Sequence, residues 1–391
     1  MNVNVPSSRT TIVDPKDVNF RDYDGTVLYA YTKDEFLALN EFPPLPTQPG
    51  LICQEWNWDY EDAVEYVRDC GILEVGATYI TDDGKTRLYI YIDTNFEITI
   101  SILVNLAAYP EVNWGDGSAL EEFQGYNTGT ISHTYKSGGN YCISLFSKNG
   151  TDLRLGANGG TYGGIFGSTY SSLVAAKTLK RIECGENTSF YSYSLYNCIN
   201  LEAITLSKGV SLSSNMFYNC YGLKHIVFPN NIELQAMLFE MTRFNYIGMG
   251  GRNSLSLTST PKYVSTMIAP KQAPKQATNL FDGTAVSQIS IPSGWTSTPY
   301  NAFANNTALR KVSLPSTITS IGDYTLRNCS KIEILDFSRA TSIPTLSSNG
   351  FYGSNSTFKI VVPDNLYDSW IAETNWSAKA SQIVKVSEFN G

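Results

Sequence analysis

The sequence predicts a multidomain, mainly β protein: a small α+β N-terminal unit, a β-rich middle segment, and a solenoid with a C-terminal helical cap. Three observations carry this. Ile182, Ile204, Ile226, Ile247, Ile268, Ile289, Val312 and Leu335 follow one another at steps of 22, 22, 21, 21, 21, 23 and 23 residues. A fixed period in the twenties marks stacked units, none of which can bury its apolar edge alone. Between about 86 and 145, apolar and polar residues alternate as in half-buried strands. In the first 80 residues, helix start and stop signals replace that alternation. The expected domains are 1–80, 81–150 and 151–391, with the cap at 364–391.

Taken in order, Thr32-Lys-Asp-Glu35 is a capping box ahead of Phe36, Leu37 and Leu39. Phe42-Pro-Pro-Leu-Pro46 ends that short helix. A second helix is expected from Asp59 to Cys70, with Gly71 as its stop. Trp56 and Trp58 are expected as core anchors, the alternative being an aromatic platform for sugar rings. Asp83-Gly84 reads as a hairpin turn between Thr78–Ile80 and Arg87–Ile92. Phe96–Leu103 alternates at period 2, and residues 151–170, rich in Gly, Ser, Thr and Tyr, read as a linker or the opening cap of the solenoid. The stretch 250–280, with its duplicated Ala-Pro-Lys-Gln, reads as a degenerate repeat with a projecting loop. Leu366, Tyr367, Trp370, Ile371 and Trp376 suit a short amphipathic helix that closes the core.

Two stretches resemble known families. Val112-Asn-Trp-Gly-Asp-Gly117 followed by His133-Thr-Tyr135 resembles the PKD domain over about 85–150. That resemblance implies an immunoglobulin-like β-sandwich serving as an extracellular spacer. Phe217-Tyr-Asn-Cys-Tyr-Gly-Leu-Lys-His-Ile-Val-Phe-Pro229 and Phe303-Ala-Asn-Asn-Thr-Ala-Leu-Arg-Lys-Val-Ser-Leu-Pro315 share one frame. This frame resembles the BspA-type leucine-rich repeat of bacterial surface proteins, over about 171–363. The resemblance implies attachment to host proteins and surfaces. Pro270 and Met241-Thr242 depart from the frame, so distortion is expected at those turns.

Composition narrows the function classes. Charged residues make up 16% of the chain, the net charge is −8, and no basic cluster reads as a phosphate track. Nucleic acid is therefore not an expected partner. No apolar run approaches the roughly 20 residues needed to cross a bilayer. No secretory signal is visible in Met1-Asn-Val-Asn-Val-Pro6, yet an extracellular or cell-surface location is expected. Of the seven cysteines, Cys198, Cys220 and Cys329 recur in the repeat as Asn-Cys. They read as buried free thiols rather than disulfides or metal ligands. Only two histidines are present and no CxxC pair, so neither a metal nor a cofactor is expected.

In Leu-x-x-Ile-x-Leu the residues flanking the central Ile point away from the core. The candidate binding face is therefore Ala203/Thr205, His225/Val227, Gln288/Ser290, Lys311/Ser313 and Ile334/Asp336. Of these, Thr205, His225, Gln288, Ser290, Lys311, Ser313 and Asp336 are the candidate contact residues. The row is small and polar, suited to a protein or glycan ligand, and equally to a plain solvated sheet. Thr205→Ala is expected to cost little on such a face. No catalytic residues are expected: His133 reads as structural, and Asp82-Asp83-Gly84 and Asp116-Gly117 read as turns rather than calcium loops. The leading expectation is a non-enzymatic binding or adhesion protein. The alternatives are a phage or prophage structural or receptor-binding protein and, least favoured, a carbohydrate-active enzyme.

Overall fold

The computed structural model describes residues 13–93, 97–157, 164–167, 170–208, 210, 212–213, 215–230 and 286–389, with four short strands between 233 and 268. The departures read at Met241-Thr242 and Pro270, and the projecting loop within 250–280, lie outside the described residues.

The N-terminal unit runs β1 (Val18–Arg21), β2 (Val27–Tyr31), α1 (Lys33–Leu37), β3 (Leu51–Trp56), α2 (Tyr60–Cys70) and β4 (Leu73–Thr81). Its sheet order is β2-β1-β4-β3, with β1 parallel to β4. The capping box forms: the Thr32 hydroxyl accepts from the Glu35 amide, and the Glu35 carboxylate accepts from the Thr32 amide. Gly71 ends α2 in the left-handed region, at φ 77°. Trp56 and Trp58 are core, with Trp56 set edge-on to Phe20 and Trp58 to Tyr66, both at 4.9 Å. Asp83-Gly84 does make a turn, with Gly84 at φ 70°, but not a hairpin. The strands on either side of it, β4 and β5 (Thr86–Ile92), enter different sheets.

The middle segment is a β-sandwich. It adds β6 (Ile98–Asn105), β7 (Pro110–Asn113), β8 (Glu121–Glu122), β9 (Thr128–Tyr135), β10 (Gly139–Ser147) and β11 (Leu153–Leu155). One sheet holds β5-β10-β7-β8 and the other β11-β6-β9. Leu88, Ile90 and Ile92 face Ile100, Ile102 and Val104 across the core, as period-2 alternation requires. Trp114 is fully buried, and the Tyr135 hydroxyl donates to its carbonyl at 2.7 Å.

The solenoid stacks parallel strands in two ladders, each hydrogen-bonded in separate stretches among the described residues. The longer ladder takes β12 (Leu179–Glu183), β14 (Ala203–Ile204), β15 (His225–Val227), β17 (Tyr246–Gly248), β19 (Thr266–Ile268), β20 (Gln288–Ser290), β22 (Lys311–Ser313), β24 (Ile334–Asp336), β26 (Lys359–Val362) and β27 (Ile383–Lys385). The shorter takes β13 (Thr188–Phe190), β16 (Glu233–Leu234), β18 (Ser254–Leu255), β21 (Ser297–Thr298), β23 (Ser320–Ile321) and β25 (Thr345–Leu346). Ile182 pairs with Ile204, Ile226 with Ile247, and Ile289 with Val312 and then Leu335. At one rung the register is a residue away from expectation, because Met267 rather than Ile268 pairs with Ile289. Leu335 pairs with Ile360 within the expected repeats, and the ladder outruns them where Ile360 pairs with Ile383, inside the expected cap.

The Asn-Cys dipeptide has a physical reason. Asn197, Asn219, Asn305 and Asn328 all hold a positive φ, which Asn tolerates better than most side chains. Their amides chain from rung to rung: Asn219 Nδ2 donates to Asn197 Oδ1, and Asn328 Nδ2 to Asn305 Oδ1, both at 2.8 Å. The following thiols are buried at Cys198, Cys220 and Cys329, and two donate to the preceding rung, Cys220 to the Leu195 carbonyl at 3.1 Å and Cys329 to that of Phe303 at 3.0 Å. All seven cysteines are free. Burial pushes the Cys184 thiol up to about 12 and that of Cys198 higher still, so neither reacts readily as a thiolate.

Sandwich and solenoid are fused. β12 pairs antiparallel with β5, and β13 pairs parallel with β11, so both sandwich sheets continue into the repeats. One apolar core runs from Leu88 to Ile383. The stretch read as a linker thus supplies β11, which pairs with both β6 and β13. α3 (Tyr170–Ala176) precedes the first rung. Beyond β26 lies the short helix α4 (Tyr367–Ala372), which carries Trp370 but ends before Trp376, unlike the single expected helix; both tryptophans are fully buried against Phe337.

Candidate binding surfaces

The outward face of the long ladder divides into a covered half and an open half. On the first rung Arg181 and Glu183 flank Ile182. The Arg181 guanidinium lies 4.0 Å over the Tyr89 ring and 3.3 Å from Glu183. Tyr89 donates to Glu183 at 2.7 Å and Tyr23 at 3.5 Å. Burial, with Glu183 alongside, raises the pKa of both tyrosines. The N-terminal unit, the sandwich and the solenoid therefore meet at this one carboxylate.

The next two rungs lie under the N-terminal unit. Ala203 packs into that unit's core. Thr205 is not on an open face: it is 1% exposed, and its hydroxyl accepts from the Cys184 amide at 2.7 Å. β14 ends at Ile204, and the turn that follows folds the Thr205 hydroxyl back toward the preceding rung. Val227 is buried against Gly76, where an added Cβ would stand 2.4 Å from a Val227 methyl. His225 is half-buried against Gly25, which has φ +91° and no side chain to clash. Desolvation, then the Arg21 charge, lowers the His225 pKa below 6.5.

Polar contacts continue along the strand ends. The Asn57 side chain donates to the Phe228 carbonyl at 3.1 Å and accepts from the Gly76 amide at 2.8 Å. The Lys208 amide donates to Gln54 at 3.1 Å, Asn230 to Asp59 at 3.2 Å and Ser293 to Glu65 at 3.0 Å. Arg339 reaches the Ile291 carbonyl at 3.5 Å beside Cys70. The docking is not fully satisfied: His225 Nδ1, Glu55 Oε1 and Asn230 Oδ1 are buried with no hydrogen-bond partner among the described residues.

The remaining candidate residues sit on the open half. Gln288 is exposed, and Ser290, Lys311, Ser313 and Asp336 are half-buried. Lys311 Nζ and Asp336 Oδ2 are 3.4 Å apart. The structure thus separates the seven predicted residues, burying Thr205 against the preceding rung, holding His225 within a domain contact and leaving the other five on open rungs. Sequence reasoning missed Arg181 and Glu183, although they flank Ile182 in the same phase. It also missed Asn57 and Gly76, whose only signal was a glycine inside a strand pattern.

The other histidine is committed to the sandwich. His133 stacks on Trp114 at 5.1 Å, and its Nε2 lies 2.7 Å from Asp116 Oδ2. Desolvation acts to raise the Asp116 pKa, but hydrogen bonds with Ser118 and His133 outweigh it and bring it down to about 2. Among the described residues, no three His, Cys, Asp or Glu side chains converge as a metal site, and no helix is long and apolar enough to cross a membrane.

A stack of parallel rungs built on a Leu-x-x-Ile-x-Leu frame, with an asparagine ladder at its turns, defines a leucine-rich-repeat solenoid. Six copies of the BspA type leucine rich repeat region match residues 171–256 and 265–372, and the chain belongs to that family. No curated protein matches the chain. Membership supports a binding role in general.

Proposed function

We propose that this is a non-enzymatic recognition protein, surface-bound or secreted by a bacterium, that binds a protein or glycan through its solenoid. The observation that carries this reading is the continuous core through sandwich and repeats, which makes one stiff rod that presents successive rungs at fixed spacing. The middle segment, with its Trp114–Tyr135 and His133–Asp116 locks, is a PKD-like spacer that extends the rod. Both histidines are spent on structure, one in that lock and one in the domain contact. The open rungs from Gln288 to Asp336 and the turn side of the solenoid are then the surfaces offered to a partner.

The test uses the whole chain, because residues 151–391 alone would lose the pairing of β12 with β5. Full-length protein is applied to arrays of extracellular-matrix proteins and glycans and to whole cells. Saturable binding to one class supports the reading. Silence on all three surfaces, together with turnover of an arrayed glycan, would overturn it.

A further inference from the structure

Tyrosines recur on the turn side of the last rungs, opposite the long ladder. Tyr300, Tyr324 and Tyr352 follow β21, β23 and β25 in turn. The Tyr300 and Tyr324 rings meet at 5.6 Å and 80°, and the Tyr324 and Tyr352 rings at 6.0 Å and 83°. Tyr324 is thus turned across its two neighbours. Tyr300 is 47% and Tyr352 62% exposed, high values for rings that usually serve as core. Exposed Asn328, Asn349 and Ser348 and half-buried Asn301 surround the row with uncharged donors and acceptors. Arg327 lies 5.4 Å from the Tyr324 ring centre.

Successive rungs stand about 4.8 Å apart, so two open rings separated by one crossed ring are roughly 10 Å apart along the axis. That is the distance over which an extended β-1,4-linked polysaccharide presents the same face of every second pyranose ring. Such a ring is apolar on its faces and hydroxylated at its rim, which suits an aromatic face ringed by amides. Past Tyr352 the row opens into a cleft of about 390 Å³, lined by Leu346, Phe351, Tyr352, Asn355, Asn375 and Lys379. The cleft falls within the usual size range of small-molecule sites.

We propose that Tyr300, Tyr324, Tyr352 and the adjoining cleft form a subsite for a neutral, extended β-1,4-linked glycan laid along the solenoid axis. Rings 300 and 352 stack on alternate sugars, the asparagine amides meet the hydroxyls between them, and the cleft takes the end of the chain. This rests on the recognition reading above, to which it adds a ligand class and a place.

The experiment is calorimetry of the full chain with cellohexaose, chitohexaose and mannohexaose, with dextran and soluble starch as α-linked controls. Binding to at least one β-linked hexamer is expected, weaker for its dimer and absent for the α-linked controls. Tyr352→Ala and Tyr300→Ala should each weaken binding about tenfold or more, a typical scale for losing one aromatic anchor. Tyr352→Phe should keep it, since the ring face remains. Tyr126→Ala, at a ring 93% exposed on the sandwich, should change nothing. Thermal melting shows that each variant is folded. Failure of every β-linked hexamer to bind, equal binding to α-glucans, or binding indifferent to both alanine variants would overturn the subsite. If matrix proteins bind while the hexamers do not, the subsite falls and the recognition reading stands.

Discussion

The solenoid meets the rest of the chain at two junctions built on different physics. To the sandwich it is joined through backbone: β12 continues the β5 sheet, β13 continues the β11 sheet, and one core crosses the boundary. To the N-terminal unit it is joined mainly through side chains, across a contact that includes close-approach glycines and buried polar atoms without partners among the described residues. A ladder junction satisfies every amide it buries and cannot part without unfolding. A side-chain junction with unpaired buried groups forgoes free energy and can separate while each part stays folded. The first is therefore a fusion and the second a docking.

The largest effect expected from this contrast comes from truncation. A fragment beginning at residue 151 removes β5 and leaves the β12 edge bare, which invites aggregation. It should lack a cooperative thermal transition by circular dichroism. A fragment beginning at residue 82 keeps both sandwich sheets and should melt cooperatively. Equal behaviour of the two would erase the distinction. Within the rod, Ile226→Ala removes a fully buried rung residue and should cost about 2–5 kcal/mol in chemical denaturation. A cost below about 1 kcal/mol would mean the repeats do not share one core.

The docking is probed at Gly76. A valine there would meet the stiff, β-branched Val227, overpacking the contact at a cost of about 1–3 kcal/mol. Limited proteolysis should then release the N-terminal unit, up to residue 81, while the sandwich and repeats stay intact. Uniform loss of the whole chain would show that the two junctions are one unit. Thr205→Val keeps volume but strands the Cys184 amide, and should cost about 1–3 kcal/mol rather than the negligible amount an open face implies.

The same contrast explains what could be read from the sequence. The rungs were legible because each repeats one demand, a buried aliphatic at Ile182, Ile204, Ile226, Ile289 and Val312, so the signal adds in phase. Where the demand is met by an unbranched side chain, as at Met267, the phase was read one residue late. The strand alternation and the capping box were legible because they are local. Docking was not, because it happens once: Asn57, Gly76, Gly25 and His225 carry no period, and a glycine in a strand has several readings. The β4–β5 turn was misread for a related reason. Asp-Gly specifies a turn, but only tertiary pairing decides whether the strands beside it join the same sheet.

The smallest and sharpest test concerns pH. His225 sits under Gly25 with Nδ1 unpaired, and its pKa is lowered from 6.5 by desolvation and then by Arg21 and Lys224, against the opposing pull of Asp24. A histidine depressed in the docked state contributes stability that is present above its free value and lost as pH falls through the docked one. Asp22 in the same hairpin is shifted the other way, raised from 3.8 mainly by burial. Its contribution is fully present below 3.8 and lost as pH rises, so it opposes any loosening on acidification. Proteolytic release of the N-terminal unit should therefore increase as pH falls below about 6.5, and His225→Gln should flatten that dependence. Release that rises equally in the glutamine variant would assign the acid response to other groups. The Asp116 lock, held at about 2, should begin to yield only below the ordinary carboxylate range near 3.8. Separate pH windows for the docking and for this lock within the sandwich would show that docking can open while the rod stays whole.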